Sequence, residues 1–152
     1  MAIYKKDGVD GDNSFPRKLV TLKISLAAAA SITEGQWVSI DTAITDEGVG
    51  SGVKITAASD ELAFGIATET VTNSTSSTQV LPVQIQTAGR FVGASINSGA
   101  VAPSDPLDGY DGATPGRAGL LANTDAFGAC GVVLVDNADN TGTVMIIDKG
   151  YY

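Results

Sequence analysis

From Leu19 onward, Val20, Leu22, Ile24 and Leu26 alternate with Thr21, Lys23 and Ser25. This period of two predicts a half-buried strand. Ala27 to Ala30 predicts a strand end or one helical turn. Val38 and Ile40 then resume the alternation, and Val53 to Thr56 returns across a Gly/Asp/Thr loop over 41–52, giving a hairpin with a broad loop. A further hairpin is expected where Phe64 to Val71 faces Val80 to Thr87 across a Ser/Thr/Asn turn. Pro82 lies inside its second strand and has no N–H to give a ladder, so that strand should lie at an edge or carry a bulge, and edges are where partners add. Arg90 to Ile96 predicts a separate short strand. Short strands are also expected around Leu107 and from Arg117 to Leu121, within a stretch dense in Pro, Gly and Asp. Val132 to Val135 and Thr143 to Asp148 close the chain as a last hairpin. Helical periodicity is nearly absent, and strands at roughly ten-residue spacing point to an all-β fold, a compact sandwich or barrel-like domain with little helix.

One pattern occurs twice. Ala63-Phe64-Gly65-Ile66-Ala67, a polar turn, Val83-Gln84-Ile85-Gln86 and then Gly89 and Phe91 are followed later by Ala126-Phe127-Gly128-Ala129-Cys130, a polar turn, Val144-Met145-Ile146-Ile147 and then Gly150 and Tyr152. We read this as a pseudo-repeat with units at about 33–91 and 101–152. The core residues expected from it are Phe64, Gly65, Val83, Ile85, Phe127, Gly128, Val144 and Ile146. The two hairpins are expected to pack face to face around Phe64, Phe127, Val83 and Ile146.

Charge changes the picture at the N-terminus. Among 152 residues the net charge is −8. The first 25 hold five Lys or Arg against three Asp, hence +2; the rest hold four against fourteen acids, hence −10. An acidic body argues against nucleic acid or an anionic membrane as partner. Residues 1–18 read as an extended arm, too polar and Gly-rich to pack, leading into a single β domain over 19–152. Without an apolar run of spanning length or a signal-like start, synthesis in a cytoplasm is expected.

The chemistry is sparse. With no His, the commonest general base and transition-metal ligand is missing. The acids sit mainly in turns, where solvation and turn geometry account for them, as for Asp105, Asp108 and Asp111 beside Pro or Gly. Asp7 to Ser14 has calcium-like Asp spacing, but an EF-hand loop from Asp7 needs an acid where Lys18 stands. Cys130 aligns with Ala67 in the repeat and reads as a small buried residue. Trp37 reads as core or interface. Asn73-Ser74-Thr75 fits a glycosylation acceptor, with no secretion signal to make it matter. No cofactor, metal or enzymatic role is expected.

Glu34-Gly35-Gln36-Trp37-Val38-Ser39-Ile40-Asp41, then Ala63 to Ala67, Val83 to Gln86 and Gly89-x-Phe91, resemble the capsid decoration, or cement, proteins of tailed bacteriophages, of the lambda-like β-tulip type. Asp105-Pro106-Leu107 to Gly128 and Val144 to Ile147 resemble the C-terminal half of related prophage head proteins. The chain is longer than that type and reads as duplicated. The resemblance implies a virion protein on the outer surface of an icosahedral head, its partner the major capsid protein of the same virion, acting as a homo-oligomer with a trimer favoured. In that family the leading arm orders on the capsid by adding to a sheet edge. Here Ile3, Tyr4 and Phe15 would serve as apolar anchors and Lys5, Lys6, Arg17 and Lys18 as cationic contacts. A head-fibre or adhesin-like domain using the 101–119 loop is the alternative, and a carboxylate-based hydrolase the least favoured.

Overall fold

The computed structural model describes residues 17–44, 52–122 and 128–150. Ile3, Tyr4, Lys5, Lys6, Phe15 and Phe127 lie outside the described residues. Every regular element within them is a strand.

The alternating stretch forms β1 (Lys18–Leu26). Ala30 N donates to Ala27 O at 3.1 Å, so Ala27 to Ala30 makes a tight turn, with Ala29 in the left-handed region. The chain passes through β2 (Ser31–Ile32) into β3 (Trp37–Ile40) and β4 (Gly52–Ile55). These last two form the expected hairpin, with Val38 opposite Ile55 and Ile40 opposite Val53. Next come β5 (Ala63–Ala67), β6 (Val71–Thr72) and β7 (Gln79–Ser95). Then follow β8 (Pro106–Asp108), β9 (Gly119–Leu120), β10 (Gly131–Asp136) and β11 (Thr141–Ile146).

Strands β1, β4, β3, β5 and β7 close on themselves into a five-stranded barrel. The β1–β4 seam is parallel and short, Lys23 opposite Gly52 and Ile24 opposite Val53; the other four seams are antiparallel. The small β2–β6 sheet covers one part of the barrel core, with Ile32 buried in it and Val71 packed against it. Asn73 locks this cover in place. Its Nδ2 donates to the carbonyls of Leu26, Ala27 and Ser77, and its Oδ1 accepts from Thr75 N and Oγ1. Asn73 is 1% exposed, so the amide that the Asn-Ser-Thr motif offers works as a buried brace.

The sequence predicts separate strands before and after Gly89. Instead β7 runs unbroken for 17 residues and belongs to both halves of the molecule. Its first half pairs with β1, and its second half pairs with β11, beyond which lie β10, β8 and β9. The reason is local. Gly142 faces Ala94 and Thr143 faces Val92, which leaves Gly93 as the extra residue of a bulge, at φ +86°. Glycine takes that conformation without a Cβ penalty, so the strand bends without ending.

The core is divided as well. Phe64, Val83, Ile85, Val38, Val53 and Ile24 fill the barrel. Trp37, Ile66, Leu107, Val133, Val144 and Ile146 fill a second cluster beneath the β7–β11–β10–β8 sheet. Phe64 and Val83 therefore do not meet Ile146 in one face-to-face core. A bulge makes the division possible: Val38 faces Gly65 and Ser39 faces Ala63, so Phe64 is the extra residue on β5. On its two sides the parity flips, sending Phe64 and Ala67 into the barrel and Ala63 and Ile66 into the second cluster.

Candidate functional site

The leading segment is rooted at the junction of the two halves. Arg17, the first described residue, is exposed. Lys18 opens β1 opposite Ala88, just before β7 passes into the second sheet, and a register shift separates Lys18 from Leu19. The Lys18 carbonyl accepts from Thr87 Oγ1 at 3.4 Å, and its Nζ lies 3.7 Å from Asp148 Oδ2 on an exposed surface. Such a pair adds little stability. The backbone supplies the strength: β1 pairs with β7 at every position from Lys18 to Leu26. These bonds run perpendicular to the strand, so tension along β1 loads many together instead of peeling them singly.

The open edge that Pro82 signals is present, and it is blunted. Over Gln79 to Val83, β7 has β1 on one side and no described strand on the other. Toward that open side Gln84 N donates to Glu69 Oε1 at 3.1 Å, and Pro82 has no donor to offer. A side-chain cap and a proline together discourage strand addition there.

Of the residues expected from the repeat, Phe64, Val83 and Ile85 line the barrel, while Val144 and Ile146 lie in the second cluster. Gly65 sits where β5 meets β7 closely, and Gly128 has φ +69° with open space around it. Cys130 is buried, its Sγ 3.3 Å from Leu107 O. Trp37 is fully buried, its Nε1 donating to Ser95 O at 3.2 Å. The 101–119 loop contributes Val101, Leu107 and Ala118 to the second cluster, so much of it is built into the core.

The acids that might have formed a chemical site serve local structure. Asp105 Oδ2 accepts from Ala102 N at 2.8 Å, and Asp108 Oδ1 from Tyr110 N at 3.3 Å. Asp111 Oδ1 accepts from Ala113 N and Thr114 N, and its Oδ2 pairs with Arg117 Nε. Among the described residues, no three His, Cys, Asp or Glu side chains converge as metal ligands would.

Two carboxylates, Asp111 and Glu61, make folding pH-dependent. Burial pushes the Asp111 carboxyl up, but the N–H groups of Thr114 and Ala113 and the Arg117 guanidinium outweigh it and hold it below the ordinary range. At Glu61 burial again pushes up, and Lys54, Ala57 N–H and the Ser39 hydroxyl pull the carboxyl net downward. A carboxyl depressed in the fold contributes stability fully above its unfolded-state pKa and loses it as pH falls through the folded one. The thermal midpoint should stay flat from neutrality to about pH 5 and fall below about pH 4. Asp111→Asn should lower the neutral midpoint and shallow the acid fall, as read by circular dichroism melts across pH; an unchanged slope would remove Asp111 from the account.

Sequence reasoning passed over the outer face of the second sheet. There Val92 is 64% exposed and Val135 47%, and the two flank Thr143 in one cross-strand row. No family model, curated protein or solved structure matches the chain.

Proposed function

We propose that this chain is a capsid decoration protein, made in the host cytoplasm, that binds the outer surface of an icosahedral phage head through its leading segment. Its partner is the major capsid protein of the same virion, and it carries no catalytic role. The observation that supports this reading best is the root of the arm: residues 1–17, in which three Lys or Arg balance three Asp, run directly into β1, which is laddered along its whole length to the longest strand of the fold.

A clamp needs a grip and a body that does not deform when the grip is pulled. The closed barrel and the shared strand β7 provide the second. Ile3, Tyr4 and Phe15 as apolar anchors and Lys5, Lys6, Arg17 and Lys18 as cationic contacts provide the first. Many copies would bind a head far more strongly than one arm alone suggests, because each contact after the first is made at high effective concentration.

Deleting Met1 to Ser14 should leave the melting curve of the domain unchanged and abolish its cosedimentation with heads assembled from that capsid protein. Undiminished cosedimentation of the truncated chain would refute the arm as the grip.

A further inference from the structure

We draw no further inference here: the strongest candidate, the exposed apolar strip around Val92 and Val135 on the outer face of the second sheet, carries none because nothing in the structure shows what covers it.

Discussion

Replacing Trp37 by alanine should lower the unfolding free energy by about 3–5 kcal/mol, a large share of the roughly 5–15 kcal/mol that holds a domain folded. Trp37 is the largest side chain buried completely, and its position makes it more than filler. It stands on barrel strand β3, yet it belongs to the second cluster, while its neighbour Val38 points into the barrel. A Cβ built on Gly131 would lie 2.9 Å from Trp37 Cη2, so the indole ring rests directly on the backbone of β10. Its Nε1 also donates to Ser95 O at the end of β7. Alanine would leave a cavity between barrel and sheet and remove that donor from a part-buried carbonyl. Guanidinium unfolding followed by circular dichroism measures the loss. A cost below about 1 kcal/mol, the scale of an ordinary surface change, would mean that the two halves do not depend on this residue to stay joined. Trp37→Phe, which keeps much of the ring volume and loses the N–H, should recover most of the difference.

Gly65→Val should cost about 3 kcal/mol, near the upper end of what overpacking a core costs. A Cβ at this position would stand 2.5 Å from Ile85 Cγ2 and 2.8 Å from Gln86 O. The second contact is with backbone, which cannot turn aside as a side chain can. The closure is also thin at this site, since β5 is held to β7 by two register pairs, Ile66 with Gln86 and Ala67 with Ile85, as few as join β1 to β4. Pushing β5 away opens the barrel at that seam. Hydrogen exchange should show early loss of protection in β5 and its partner positions on β7, ahead of β10 and β11. Uniform loss across all strands would instead indicate one indivisible cooperative unit.

Some of this architecture is plain in the residue order, and the reasons differ from strand to strand. β1 is legible because one of its faces meets the barrel interior, so apolar and polar positions alternate without interruption. The β3–β4 hairpin is legible for the same reason, and the β10–β11 hairpin because two apolar runs flank a turn rich in Asp, Asn and Gly. Gly89 misleads because a glycine between apolar runs usually ends a strand, whereas here positive φ at Gly89 and Gly93 lets one strand serve two sheets. The split core is hidden by the bulge at Phe64, which changes the facing of residues without changing their hydrophobicity.

The same effect conceals the outer face. Val132-Val133-Leu134-Val135 is apolar at every position, so its period gives no facing; only the register with β11 buries Val133 and exposes Leu134 and Val135. The leading segment poses another problem. Its sequence shows charge and sparse apolar anchors, and the described residues begin only at Arg17, where those anchors have already passed. The proposed role as a grip rests on its apolar and cationic residues and on the strand in which it is rooted.

Electron cryomicroscopy of heads carrying this chain examines that role most directly. The account predicts the barrel standing on the outer surface of the shell, with residues 1–16 traced as extended chain lying along the capsid protein. Density for the domain inside the shell, or on it through the second sheet with the leading segment turned away from the capsid protein, would contradict it.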